Sequence, residues 1–323
     1  MNTKLLTVVI PTYNMEAYLG RCLESLIIDR NLLEKVEVLV INDGSKDCSS
    51  EIAHGYEEKY PEAFRVIDKE NGNYGSCVNR GLAEATGKYF RLLDADDWFN
   101  TLSFKDFVKH LEICDSDVVL TNYSQRYANK SVLFDYLEFE SGKTYRIDVI
   151  PDLKNGFCMH ALTFRLGLLK EVGLKHQEGI SYTDIEYDYY PLTKAETLIY
   201  YSLDLYQYFI GRDGQTISNA SFLKNKKSLM KVASRVAKDY VGLNNVSDNR
   251  KQILANIIIF PVYRLYLLSL IFDKPDEDFY KLEQLVEQNK ELKEMTKQST
   301  YRKVPFVSLW RRFGIRCSIL RFV

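Results

Sequence analysis

The sequence lacks the cysteine spacings of a zinc site or a disulfide framework. Its six cysteines, Cys22, Cys48, Cys77, Cys114, Cys158 and Cys317, are scattered along 323 residues without a CxxC pair. A reducing, cytoplasmic setting fits that distribution. A charge excess is also missing: 43 Lys+Arg against 44 Asp+Glu leave a net charge of −1, so bulk charge does not point to nucleic acid. The apolar run in MNTKLLTVVIPTYN is too short for a signal peptide and no small-residue cleavage site follows it, so export is not expected. No internal repeat, low-complexity block or flexible linker interrupts the chain. One long apolar stretch exists, QILANIIIFPVYRLYLLSLIF (252–272), but it carries Asn256, Pro261 and Arg264. An arginine near the centre of a membrane span costs about 2.5–3.5 kcal/mol, and the stretch is expected to be a buried or partner-facing helix.

What is present is a globular composition, 46% hydrophobic and 27% charged, enough for one large core or a core with an appended lobe. The first hundred residues alternate apolar runs with amphipathic stretches. LTVVIPTYN (6–14), VEVLVINDGS (36–45), AFRVIDKE (63–70) and KYFRLLDADD (88–97) read as strands. Between them EAYLGRCLESLI, KDCSSEIAHGYEEKY and SCVNRGLAEATG read as helices. This alternation predicts a mainly parallel sheet covered on both faces, with ligands at the carboxyl ends of its strands. Polar residues stand at those ends: Thr12, Tyr13 and Asn14; Asn42 and Asp43; Asp68; Asp94 and Asp96. DVVLTNYSQRY (117–127) and VLFDYLEFE (132–140) look like further strands, 145–200 is mixed, and 221–295 reads as helical. The simplest partition is a first domain over 1–215 and a helical extension over 216–323.

The sharpest chemical signal is YFRLLDADDW, an apolar run ending in Asp94, Asp96 and Asp97. On a strand end, Asp94 and Asp96 share one orientation, because side chains alternate with period two. Paired carboxylates repel unless a cation sits between them, so the cluster predicts a divalent metal and an anionic ligand. A calcium loop would need Gly and Glu where Phe99 and Lys105 stand. A phosphatase of the haloacid-dehalogenase type would need Thr or Val at Trp98 and the motif on the first strand. Acidic residues at a helix start would explain Asp96 and Asp97 alone.

Four ordered motifs, VVIPTYN, VLVINDGSKD, ENGNYGSCVNRGLAEATGKYFRLLDADDW and ISYTDIEYDYYPL, together resemble the family 2 glycosyltransferases of bacterial surface and capsular polysaccharide synthesis. The resemblance covers about residues 5–215. It implies an α/β GT-A fold, Rossmann-like, with a mixed, mainly parallel sheet flanked by helices and followed by a C-terminal helical extension. It implies an inverting, metal-dependent enzyme that moves a sugar from a nucleotide-diphosphate donor, UDP-linked, to a saccharide or lipid-linked saccharide acceptor. The cofactor implied is a divalent cation, Mn²⁺ or Mg²⁺.

The resemblance also implies roles. Pro11 fixes the turn after the first strand, Tyr13 lies against the base, and Asp43 accepts hydrogen bonds from it. Asn71, Gly72, Gly75 and Asn79 lie beside the nucleotide, where small residues permit close approach. Asp94 holds the ribose or a metal-bound water, Asp96 binds the metal, and Asp97 and His160 are further cleft candidates. The family's acidic pair at a helix start maps onto SYTDIEYDYY, with Asp184 as the base and Thr183 where Glu is usual; Glu186 and Asp188 remain alternatives. Arg212 is within reach of a phosphate or lies on the surface. Asp43, the 71–79 loop and the Asp184 segment also have plainer readings as a turn, a cap or a solvated helix start, and His160 has one as a structural residue of an apolar segment.

One other class stays open, a non-catalytic subunit that keeps the GT-A shell, although intact Asp94, Asp96 and Asp184 argue against it. A sugar-phosphate nucleotidyltransferase expects a Gly-rich basic loop after the first strand, which PTYNMEAYLG does not supply. Finally, residues 301–323 hold six basic residues, Arg302, Lys303, Arg311, Arg312, Arg316 and Arg321, and no acidic one. Through 305–323 the protein can touch a membrane interface, which would make it peripheral on the inner face of the cell membrane; the same tail can instead meet a partner or close the helical lobe.

Overall fold

The computed structural model describes residues 4–212 and 214–321, the side chain of Arg321 excepted; the last two residues of the expected tail contact lie outside them. The chain packs as two compact units, Met1–Arg212 and Asp213–Val323.

The first unit is built on a sheet of ten strands among the described residues: β1 Leu6–Thr12, β2 Val36–Asn42, β3 Phe64–Asp68, β4 Tyr89–Leu92, β5 Trp98–Phe99, β6 Val118–Arg126, β7 Ser131–Phe134, β8 Thr144–Arg146, β9 Leu162–Arg165 and β10 Thr197–Phe209. Their order is β3-β2-β1-β4-β9-β6-β10-β5, with β7 beside β6 and β8 beside β10. β1 is central because its β-branched run is apolar on both faces: Leu6, Val8, Val9 and Ile10 are fully buried. It pairs in parallel with β2 (Leu6 opposite Val36) and with β4 (Leu6 opposite Tyr89). β9 runs antiparallel between β4 and β6. Two reversals restore direction, so β6 and its parallel neighbour β10 point the same way as β1 and β4. Six carboxyl ends therefore meet one edge of the sheet. The helices Glu16–Glu24, Ser49–Lys59 and Asn73–Glu84 make the crossovers. Asn73–Glu84 lies close against β1 because Gly81 has no side chain; a Cβ there would come within 2.5 Å of Val9.

Two elements differ from the sequence expectation. β7 ends at Phe134, well short of the strand expected to reach 140. β4 ends at Leu92, and the Asp97 amide donates to the Asp94 carbonyl at 3.0 Å. The three carboxylates thus stand in a tight turn, and the period-two argument for Asp94 and Asp96 does not apply to them.

The second unit is helical: Asn219–Lys224, Lys226–Val241, Asp248–Leu267 with a π turn to Phe272, Glu277–Gln288, Lys290–Lys297 and Phe306–Phe313. Side-chain caps define four starts, where Ser218, Ser247, Asp276 and Asn289 each accept a backbone amide. The 25-residue stretch Asp248–Phe272 is long and apolar enough to cross a membrane, yet 72% of its most apolar window is buried within the protein. Arg264 lies over the rings of Phe222 and Phe260 at 4.9 and 5.5 Å. The tail packs onto this unit through Phe306 and Val307, and Arg311 is paired with Glu283 at 2.7 Å and Glu287 at 3.1 Å. Phe313, Ile315 and Ile319 stay exposed.

Candidate active site

The site grows from the strand ends. After β1, Asn14 takes a positive φ and its side chain accepts the Lys46 amide at 2.7 Å, while its own amide donates to Ser45 Oγ at 3.1 Å. This stitches the β1 turn to the β2 turn. Tyr13 is 45% exposed beside it, a free ring face. Pro11 sits within β1, in register with Ile41.

Asp43, at the end of β2, is buried, and its own chain occupies both carboxylate oxygens. Oδ1 accepts Lys69 Nζ at 2.5 Å and the Gly72 amide at 2.9 Å; Oδ2 accepts the Asn73 amide at 2.9 Å. The Asn71 amide side chain donates to the Asp43 carbonyl at 2.9 Å. In this arrangement Asp43 orders the turn 69–73, and Asn71 serves the same turn. Gly75 and Asn79 face the loop before the helix Asp184–Tyr189. A Cβ on Gly75 would stand 2.0 Å from the Gln177 carbonyl oxygen, so the close approach that requires glycine is to protein backbone. Asn79 accepts the His176 amide at 2.8 Å and donates to the His176 carbonyl at 3.0 Å.

The acidic turn after β4 is the electrostatic centre. Asp94 is half-buried and accepts the Tyr74 hydroxyl at 3.0 Å; its amide donates to the Tyr206 hydroxyl at 3.1 Å. Burial, and then the neighbouring Asp96 charge, push the Asp94 carboxyl up. Asp97 is fully buried: Oδ2 accepts the Tyr206 hydroxyl and Oδ1 the Phe209 amide, both at 2.7 Å. Burial and the Asp96 and Asp94 charges hold its carboxyl well above the ordinary range. Asp96 is 7% exposed, and its Oδ2 accepts Arg212 Nε. Arg21 donates to its carbonyl at 2.9 Å, stacked 3.7 Å over Trp98. His160 lies in an aromatic cage, stacked on Tyr208 at 4.3 Å and edge-on to Tyr206 at 4.8 Å. Burial and the Arg91 charge hold the imidazole down at about 3, so it is neutral. Ligand atoms of Asp94, Asp97 and His160 lie within 4.8 Å of one another.

Across from this turn, the helix Asp184–Tyr189 carries three acids with different fates. Glu186 is fully buried and accepts the Gln177 amide at 2.8 Å and its side chain at 2.9 Å. Asp188 is 7% exposed, its Oδ1 has no hydrogen-bond partner, and burial holds its carboxyl well above the ordinary range. Asp184 alone of the three keeps partial solvent access. Burial raises its carboxyl to about 6, and its charge acts on Asp94 and Tyr74. Thr183, where the resemblance expects Glu, is buried with its hydroxyl unpaired.

The family description "Glycosyl transferase family 2" matches residues 7–173, a span that contains every strand end of this site except that of β10. The chain belongs to that family. Among curated relatives, putative glycosyltransferase EpsH of Bacillus subtilis is 32% identical over 136 residues, covering 42% of this chain and 38% of EpsH. The chain thus matches well under half the length of that relative. Among solved structures, S. aureus TarS 1–349 in complex with UDP-GlcNAc superposes with a TM-score of 0.65 at 18% identity, over 95% of this chain and 87% of that one. The mannosyltransferase PcManGT from Pyrobaculum calidifontis, in complex with GDP-Man and Mn²⁺, superposes with a TM-score of 0.52 at 15% identity, over 90% and 82% of the two chains. These likenesses establish the GT-A arrangement of sheet and helices.

In this family 2 chain, sequence reasoning passed over Tyr74, Tyr206 and Arg91. Tyr74 stands inside ENGNYGSCVNRG, and Tyr206 alternates with Tyr208 on one strand. Arg91 is a charge within an apolar strand, which was the available signal. It is fully buried and donates to Thr163 Oγ1 at 2.7 Å and to the His160 carbonyl at 2.6 Å. The donor set suits a divalent cation: burial and the clustered carboxylates raise the Asp94 pKa, and the His160 imidazole is neutral, with Nδ1 beside Cys158 Sγ at 3.6 Å and Nε2 left as the coordinating nitrogen.

Proposed function

We propose that this chain is an inverting glycosyltransferase that moves a sugar from a UDP-linked donor to a saccharide acceptor in polysaccharide synthesis, with Asp184 as the base. One observation carries the reading: of the three acids on its helix, Asp184 alone keeps solvent access, and its raised carboxyl faces the charge of the Asp94 turn. A base near pH 6 is matched to taking a hydroxyl proton at neutral pH. The acceptor oxygen, losing its proton to Asp184, attacks the anomeric carbon as the diphosphate leaves from the opposite face. Tyr74 and Tyr206 hold the Asp94 turn in place during the displacement.

Asp94, Asp96, Asp97 and His160 would hold the divalent cation, Mn²⁺ or Mg²⁺, which when bound supplies positive charge to the departing diphosphate. The exposed ring of Tyr13 offers a stacking face for the base. The UDP-GlcNAc in the TarS complex supports a uridine donor, and the Mn²⁺ in the PcManGT complex supports a cation. In this reading the acceptor is a lipid-linked saccharide of the surface or capsular type, met at the inner face of the cell membrane.

The test is a panel of nucleotide sugars, with and without Mn²⁺, assayed for donor hydrolysis and for transfer with wild type and Asp184→Asn. Hydrolysis of a UDP-sugar that needs the cation, with transfer lost in Asp184→Asn, is expected. Donor binding without turnover across the panel would favour a non-catalytic GT-A shell.

A further inference from the structure

Charge is divided unevenly between the two units. Residues 1–212 hold 23 Lys+Arg and 33 Asp+Glu, a net of −10, whereas residues 213–323 hold 20 and 11, a net of +9. Within the helical unit the excess is ordered. The helix Lys226–Val241 buries Leu229, Val232, Ala233, Val236, Ala237 and Tyr240. Lys227, Lys231, Arg235 and Lys238 follow one another at spacings of four, four and three, which keeps them in one stripe opposite the buried face. Lys227, Lys231 and Lys238 are exposed. None of these three forms an ion pair with another described residue; the lysine of this helix that does is the buried Lys226, held by Asp273 and Asp276. The helix carries a single acid, Asp239.

An ordinary solvated helix face mixes signs, because like charges three or four residues apart repel. Lys227 and Lys231 are such a pair, and an apposed anionic surface would turn their repulsion into attraction. From Lys227 to Lys238 the stripe runs about 16 Å along the axis, long enough to meet several lipid headgroups. It holds no aromatic side chain for a sugar to stack on, and its unpaired charges are lysines, point charges rather than the planar forks that read phosphate geometry. Those features fit a diffuse anionic surface better than a single polymer strand. The tail of the same unit exposes Phe313 and Ile315 beside Arg312, a second candidate membrane contact that a test has to separate from the lysine stripe.

We propose that the Lys227–Lys231–Lys238 face docks the protein onto an anionic lipid bilayer. This surface is distinct from the 305–323 tail, and the proposal needs no particular donor or chemistry.

The experiment is vesicle flotation of the full chain with phosphatidylcholine vesicles and with phosphatidylcholine–phosphatidylglycerol vesicles, at low and raised salt. Wild type is compared with Lys227→Ala/Lys231→Ala/Lys238→Ala and with Phe313→Ser/Ile315→Ser. Circular dichroism checks that each variant is folded. The wild type should float only with anionic vesicles and release at raised salt. The triple variant should bind about a hundredfold more weakly, about fivefold per lysine. Equal flotation of wild type and triple variant overturns the proposal, as does salt-independent binding or loss confined to the Phe313→Ser/Ile315→Ser variant. A wild type that ignores anionic vesicles but is shifted by dextran sulfate overturns it in favour of a polymer partner. Because flotation reads no sugar transfer, it can fail while the glycosyltransferase reading stands, and the reverse.

Discussion

Arg212 Nε donates to Asp96 Oδ2, so a guanidinium holds one carboxylate of the acidic turn. The turn carries three acids within four positions, and Arg212 and Arg21 both bind Asp96. Arginine cannot serve as a metal ligand, so this ion pair would compete with a cation proposed to bind at Asp96. Replacing Arg212 by Ala should therefore tighten Mn²⁺ binding in the absence of donor, by roughly tenfold for one charge-assisted hydrogen bond. Titration calorimetry or the electron paramagnetic resonance of free Mn²⁺ reads this directly. An unchanged affinity would remove Arg212 from competition at the turn.

Asp184→Asn keeps the shape of the helix start and removes the proposed proton acceptor. The turnover number for transfer should fall about 10²–10⁴-fold, with the dissociation constant for donor nucleotide nearly unchanged. Retained transfer with a weakened donor would move the base elsewhere and make Asp184 a binding residue.

With the Asp184 carboxyl raised to about 6, kcat/KM should climb about tenfold per pH unit below that value and level off above it. A profile flat from pH 5 to pH 8 would contradict the assignment.

Asp188 gives a stability prediction whose sign follows from its burial. Its folded-state carboxyl lies well above the ordinary value of 3.8, so the folded protein keeps a proton that the unfolded chain has released. Its contribution is complete below pH 3.8 and declines as pH rises toward the folded value, by up to about 1.4 kcal/mol per unit. Asp188→Asn needs no such proton. The variant should gain on wild type in urea unfolding as pH is raised from 4 to 8. Parallel pH dependences would show that Asp188 is ionised in the fold.

Gly75→Ala would place a methyl group 2.0 Å from the Gln177 carbonyl oxygen, where backbone must yield. A loss of about 1–3 kcal/mol or more is expected in unfolding experiments, together with weaker transfer, because the displaced loop leads into Asp184. Wild-type stability in this variant would mean that the 176–178 loop shifts freely.

The order of the elements was readable from local pattern. β-branched runs such as LTVVIPT, each followed by an amphipathic stretch, specify parallel strands joined by helices, and β1 to β4 fall where those runs lie. β9 was not readable: LTFR is four residues, two of them polar, whose antiparallel place between β4 and β6 depends on partners far away in sequence. Within the site, Asp94, Asp96 and Asp97 stood out as carboxylates clustered after an apolar run, and Asp184 stood out through the family resemblance of SYTDIEYDYY. Which oxygen meets which neighbour was not readable, and Asp43 shows why. Its partners, Lys69, Gly72 and Asn73, sit about thirty residues on, and nothing local announces that they will take both of its oxygens.

The sequence by itself determined the alternation of strands and helices, the family, and the set of acidic residues, because periodicity and residue chemistry are local properties. Only the tertiary structure decided how those acids divide their work. Burial and long-range partners hold Asp97 to Tyr206 and Phe209, give Asp96 to Arg212, tie Glu186 to Gln177 and seal Asp188 in the core. Asp184 is left with access to solvent, since a carboxylate's proton affinity and reach are set by what the fold packs around it.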